Sequence, residues 1–228
     1  MLPLTLIPPS GTLRVLAIGA HPDDIEIAAA GTLLRLAAEV PDLRAHVVVM
    51  TSTPLRATEA RAAAAAVLTG ASDLTVEVHD LTDGHLPAQW DQVKGALEAL
   101  ARSTRPDVIL CPSPSDAHQD HRLVGELVRT SFRDQLVLQY EIPKWDGDLG
   151  ATGATHYVPL DRDQVERKCA LLRSSFPSQA GRDWFSDETF MALARLRGLE
   201  CRADYAEAFA VGKAVLALSH TSPDPVTS

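Results

Sequence analysis

Leu13-Arg14-Val15-Leu16-Ala17-Ile18 runs directly into Gly19-Ala20-His21-Pro22-Asp23-Asp24. The first six residues form a short apolar run rich in strand formers, which reads as a strand buried on both faces rather than an amphipathic one. Pro22 and the two acids after it suit the positive end of a helix, and Leu33, Leu36 and Ala37 keep helical spacing to about Glu39, where Pro41 stops it. Strand, turn, helix is therefore the opening unit. Working outward, the alternation repeats: strand His46 to Thr51, helix Thr58 to Leu68, strand Thr75 to His79, helix Gln89 to Arg102, strand Val108 to Cys111, helix Arg122 to Phe132, strand Leu136 to Tyr140. Alternating strands and helices predict a Rossmann-like α/β fold: a doubly wound, mostly parallel sheet of order 3-2-1-4-5 in a three-layer αβα sandwich. The remainder is less regular, with strands expected at His156 to Val158 and Ala208 to Val211 and helices at Asp163 to Ser174 and Glu188 to Arg197. It reads as a C-terminal elaboration on the same sheet.

Composition narrows the class. The chain has 228 residues, 46% of them apolar, enough for one core, and no linker divides it, so residues 1–228 are expected to form a single domain. No apolar run approaches the ~18 residues of a membrane span. A formal charge of −9 and the lack of any Lys/Arg block argue against nucleic acid or an anionic membrane surface as partner. Cys111, Cys169 and Cys201 are odd in number and irregularly spaced, which offers neither a disulfide framework nor a zinc knuckle and fits a reducing cytoplasm. Residues 1–11 lack the basic start of a signal peptide. The Ser/Thr/Pro/Asp-rich tail at 219–228 is expected to fray. Neither a Walker A sequence nor GxGxxG is present.

Chemistry concentrates in two places. One is His21-Pro22-Asp23-Asp24, after the first strand; the other is Asp116-Ala117-His118-Gln119-Asp120-His121, after the fourth. Strands 1 and 4 are neighbours in the expected sheet, and the crevice between their carboxyl ends is where such folds bind ligands. His21 and Asp24 are three apart, as are His118 and His121, so each pair points one way from its chain. Two imidazoles and one carboxylate suit zinc with positions left open for water and substrate. Spacing alone does not choose between His118 and His121. Each cluster also has a plain reading: the acids after Pro22 as helix caps, the second group as an ordinary loop before a helix. Their expected convergence on one cleft argues against that.

The paired segments resemble the signatures of the PIG-L or LmbE-like zinc-dependent N-deacetylases, as Ala20 to Asp24 and His118 to His121, with Gly31-Thr32-Leu33 at similar spacing. The likeness extends to Arg56 and Glu59, Asp83-Gly84, Lys168, Ser178-Gln179 and Tyr205 to Phe209. It implies removal of an N-acetyl group from an N-acetylglucosamine-type sugar or glycoconjugate. It further implies a divalent ion, Zn2+ or Fe2+ in its place, on His21, Asp24 and His121. Asp23 would be the general base, His118 an electrostatic or acid group, and Asp120 the carboxylate that orients His118 and keeps it protonated. Arg56 and Asp83 would contact the sugar; for Arg56 a surface ion pair is the plain alternative, and for Asp83 an Asp-Gly turn. Relatives are often homo-oligomers, so a homo-oligomer is expected.

Two features depart from the resemblance. Ala28-Ala29-Ala30 stands where relatives are Gly-rich, which is expected to narrow the backbone approach near the cleft. Tyr140 to Asp148 looks like an insertion able to line a substrate mouth, or simply a loop after a strand. His46, His79, His85, His156 and His220 lie outside the clusters and are read as structural or surface residues, and Cys111 as core. Rival readings are a non-catalytic metal-bearing ligand-binding module, and an Fe(II)-dependent enzyme using the same His/Asp/His site.

Overall fold

Each half of the opening unit folds for a visible reason in the computed structural model, which describes residues 1–8 and 10–216; the tail at 219–228 lies outside the described residues. Strand β1 (Thr12–Gly19) has Leu13 and Val15 to Ile18 buried, with parallel partners on both sides: β2 (Asp42–Thr51) and β4 (Val108–Pro112). The sheet continues to β3 (Asp73–Leu81) beyond β2 and to β5 (Leu136–Tyr140) beyond β4, all parallel. The order β3-β2-β1-β4-β5 is the one the alternation predicts. The elaboration joins the same sheet. Strand β7 (Tyr205–Val211) pairs antiparallel to β5, and β6 (His156–Leu160) pairs antiparallel to β7, so the last strand is inserted ahead of the one before it.

Helices cover both faces. α1 (Asp24–Glu39), α2 (Pro54–Val67), α5 (Arg162–Ser175) and α6 (Asp187–Cys201) share one side; α3 (Trp90–Ser103) and α4 (Gln119–Ser131) take the other. Each side has its own apolar core. Leu33, Val47, Leu110 and Phe176 belong to the first, and Leu16, Ile18, Val93, Ile109 and Val124 to the second.

Several boundaries lie earlier than apolar patterning predicts. β2 begins at Asp42 because ladder pairing, Thr12 against Asp42, does not require apolar side chains. α2 begins at Pro54, with Thr53 as N-cap accepting from the Arg56 N–H, not at Thr58. α4 begins at Gln119, not Arg122. Both earlier starts carry site residues into first turns.

Ala28, Ala29 and Ala30 do not narrow the cleft: they are buried mid-helix in the core. A Cβ at Gly31 would stand 2.5 Å from Leu160 Cδ1 and 3.1 Å from Glu207 Oε1, so any larger residue there would have to displace the buried Leu160 side chain. The backbone N–H groups of Gly31 and Thr32 donate to the buried Glu207 carboxylate at 2.9 and 2.6 Å, and Lys168 Nζ donates to it at 2.7 Å. Glu59 accepts from the Ser178 N–H and hydroxyl at 2.9 and 2.6 Å. The scattered motif residues of the second half therefore pair with residues of the first.

Candidate active site

The carboxyl ends of β1 and β4 bring the two clusters together. His21 Nδ1 lies 3.0 Å from His121 Nε2, Asp24 Oδ1 lies 3.2 Å from that same Nε2, and Asp24 Oδ2 lies 3.5 Å from His21 Nδ1. An ion bound at the usual 2.0–2.1 Å in a tetrahedral site has ligand atoms about 3.3 Å apart, so these spacings fit a shared cation. The His118 ring stands edge-on to His21, with centroids 4.9 Å apart, and lies 4.7 Å from His121. Ligand atoms of His21, His118 and His121 all fall within 4.8 Å of one another, as do those of His21, Asp83 and Asp120.

Local folding sets these positions. Asp24 turns one oxygen back to accept the N–H groups of Ala20 and His21, both at 2.8 Å, which holds the tight turn after β1 and leaves Oδ1 aimed at His121. Asp23 occupies the N-cap of α1 but makes no capping hydrogen bond; its Oδ1 meets Arg56 Nη2 at 2.9 Å. The capping explanation of Asp23 is thereby excluded. Arg56 reaches it from the first turn of α2, so the ion pair weighed for Arg56 exists, though inside the site rather than on the surface.

Both candidate ligand imidazoles have a carboxylate behind them. His121 Nδ1 is 3.0 Å from Asp116 Oδ2, and His21 Nε2 is 3.0 Å from Asp83 Oδ1 and 3.3 Å from Asp120 Oδ2. Such backing fixes which ring nitrogen is free to bind a metal. Asp83 is exposed at the Asp-Gly turn, where Gly84 takes φ +76°.

Asp120 corrects an expectation. Its carboxylate does not orient His118. Instead it accepts the N–H groups of Gly84 at 2.7 Å and Leu86 at 3.0 Å and faces His21, tying the loop after β3 to α4. The His118 ring is a helix N-cap: its Nδ1 accepts the Asp120 backbone N–H at 3.3 Å, which leaves the proton of a neutral ring on Nε2. Burial first, and then the neighbouring imidazoles of His121 and His21, hold His118 below the usual histidine range. The Asp120 carboxylate is therefore not what sets the His118 ring; the Asp120 backbone N–H is its partner.

Charge explains the rest. Burial pushes Asp23 above the usual carboxylate range against the opposing pull of Arg56. Burial would also lift Asp24, but His121 and His21 hold it well below. His121 rises to about 9 because Asp24 and Asp116 outweigh its burial, and His21 rises well above the ordinary value because Asp24, Asp120 and Asp83 do the same. Asp23, Asp24, Asp83, Asp116 and Asp120 outnumber the cations Arg56 and Lys144, and a field that favours a proton on these rings equally favours a metal cation between them.

Asp116 had no role assigned from sequence, although it opens the second cluster. Lys144, from the Tyr140 to Asp148 segment, reaches back to Asp116 Oδ1 at 2.8 Å. The sequence marks that segment as able to line a substrate mouth or as a plain loop, and does not pair Asp116 with Lys144. Trp145 beside it is exposed and donates through Nε1 to Asp183 at 3.1 Å. Cys111 is buried in β4 with its thiol pushed up to about 12, as a core residue should be.

Solved structures share this architecture. An N,N'-diacetylchitobiose deacetylase from Pyrococcus horikoshii, complexed with its inhibitor MPG, superposes with TM-score 0.65 at 21% identity, covering 90% of this chain and 85% of that one. GalB, the 4-carboxy-2-hydroxymuconate hydratase from Pseudomonas putida KT2440, gives 0.70 at 19%, covering 91% and 99%. The zinc-inhibited form of the teicoplanin deacetylase Orf2 gives 0.64 at 13%, covering 88% and 99%. These likenesses concern the fold. No curated protein matches the chain. The family model described as "PIG-L: GlcNAc-PI de-N-acetylase" matches residues 16–132, just over half the chain and the part that holds both clusters, and the chain therefore belongs to the PIG-L family.

Proposed function

We propose that the protein is a zinc-dependent hydrolase that removes the N-acetyl group from an N-acetylglucosamine-type aminosugar or glycoconjugate. One observation carries this reading: donor atoms of His21, Asp24 and His121 face one another at 3.0–3.5 Å, beside an Asp23 that is spent neither on capping nor on that cluster. Family membership supports the reaction class. The buried free thiols of Cys111 and Cys169 suit the cytoplasmic setting expected from the sequence.

In this reading His21, Asp24 and His121 hold the ion. When bound, it supplies an acidified water and polarises the amide carbonyl. Asp23 would accept the proton of the attacking water, and its upward shift suits a general base. Arg56 keeps Asp23 anionic and oriented. His118 donates from Nε2 to the oxygen that gains charge as the acetyl carbon becomes tetrahedral. The proton now on Asp23 is available to the departing amine. Asp83, exposed on the turn after β3, would accept a sugar hydroxyl.

The test is a panel of N-acetylated aminosugars, with acetate and free amine measured together, before and after chelation and zinc addition. Stoichiometric release of both, lost on chelation and restored by zinc, is the expected result. Acetate is the diagnostic product, because a hydratase consumes water without cleaving an amide and a binding module releases nothing. An oxygen requirement would favour the Fe(II) reading instead.

A further inference from the structure

The segment after β5 closes onto the second cluster rather than hanging from the sheet edge. Lys144 Nζ, with its side chain 9% exposed, sits 2.8 Å from Asp116 Oδ1 and 3.3 Å from both oxygens of Asp148. Asp148 Oδ2 in turn accepts the Ala117 N–H at 2.7 Å, so the segment is fastened on both sides of Asp116. Asp116 is itself 3% exposed and fully engaged: Oδ1 also accepts the His118 N–H at 2.7 Å, while Oδ2 meets His121 Nδ1 at 3.0 Å. A carboxylate that holds an imidazole governs its tautomer and tilt, and whatever holds the carboxylate governs both at one remove.

We propose that Lys144 is a positioning residue: through Asp116 it fixes the tautomer and orientation of His121, and Asp148 keeps Lys144 in place. The proposal rests on the reading of His121 as a metal ligand. The ammonium supplies what a neutral side chain at 144 would lack, a charged second donor on Oδ1 that, beside the His118 N–H, keeps Oδ2 turned toward His121. The Tyr140 to Asp148 segment thereby becomes part of the metal site's support.

The experiment measures Zn2+ affinity of the full chain by competition with a chromophoric chelator, for wild type, Lys144→Met, Lys144→Arg, Asp116→Asn and the Asp116→Asn/Lys144→Met double variant. Partners at this remove commonly alter metal affinity by about 10–100-fold, so Lys144→Met should weaken Zn2+ by roughly 10-fold and Lys144→Arg should recover most of it. In the Asp116→Asn background, adding Lys144→Met should change affinity by less than about twofold, because the route is already cut. The Co2+ absorption spectrum, sensitive to ligand geometry, should differ from wild type in Lys144→Met and return toward it in Lys144→Arg. Wild-type affinity in Lys144→Met, or losses that multiply in the double variant, would overturn the relay while leaving the metal site standing. Failure of wild type to bind one equivalent of Zn2+ would overturn both.

Discussion

Glu207→Gln should lower the melting temperature substantially although it alters no residue of the cluster. Glu207 is 4% exposed on β7 and accepts three hydrogen bonds, from Lys168 Nζ, Gly31 N–H and Thr32 N–H. Glutamine keeps the size but turns one acceptor oxygen into a donor, which must then face an amide N–H or the ammonium. Lys168, also 4% exposed, forms no other ion pair among the described residues, so its charge is left buried without compensation. Breaking one side of a buried pair costs about 3–5 kcal/mol. At roughly 2–4 °C per kcal/mol for a chain of this size, the expected drop is about 6–20 °C, read by calorimetry or circular dichroism. Adding Lys168→Met should recover more than half of the loss, because it removes the stranded charge and fills the space with an apolar side chain. A Glu207→Gln protein melting within about 2 °C of wild type would refute the reasoning, as would a double variant no better than the single one.

Further outcomes concern the cluster. Asp23→Asn should keep its metal by elemental analysis while turnover falls by about 10²–10⁴, the usual contribution of a general base; full activity would remove Asp23 from the mechanism. Arg56→Met should move the acidic limb of the pH–rate profile to higher pH. A base works only when deprotonated, burial already raises Asp23, and Arg56 is what opposes that rise, so activity is lost at a less acid pH without it. An unmoved limb would show that Asp23 is not the group titrating. Chelation should lower the melting temperature, and restoring Zn2+ at about 100-fold above its dissociation constant should return about 2.7 kcal/mol of stability by mass action.

The central architecture was legible because its signals are local. Six residues of strand, a turn with Gly and Pro, and a helix with apolar spacing make a unit whose period can be counted, and its repetition points to a doubly wound parallel sheet. Element ends were less legible: Thr53 and His118 cap α2 and α4 by hydrogen bonds that apolar spacing does not register. Within the cluster, His21 and Asp24 could be set against His118 and His121 because strands 1 and 4 are neighbours in the expected order, and the family resemblance picked His121 as the ligand. The partner of Asp120 could not be placed, since its carboxylate answers to Gly84 and Leu86, more than thirty residues away.

What the sequence determined by itself is the βα alternation, the expected crevice at the carboxyl ends of β1 and β4, and the residue types gathered there, since each follows from periodicity and the expected topology. What only the tertiary structure decided is the pairing: Arg56 with Asp23, Asp116 with His121 and Lys144, Glu207 with Lys168 and the middle of α1, and β7 slipped between β5 and β6. A buried charge takes whatever partner folding delivers to it, and that delivery depends on the closing of long loops, on which local spacing carries no information.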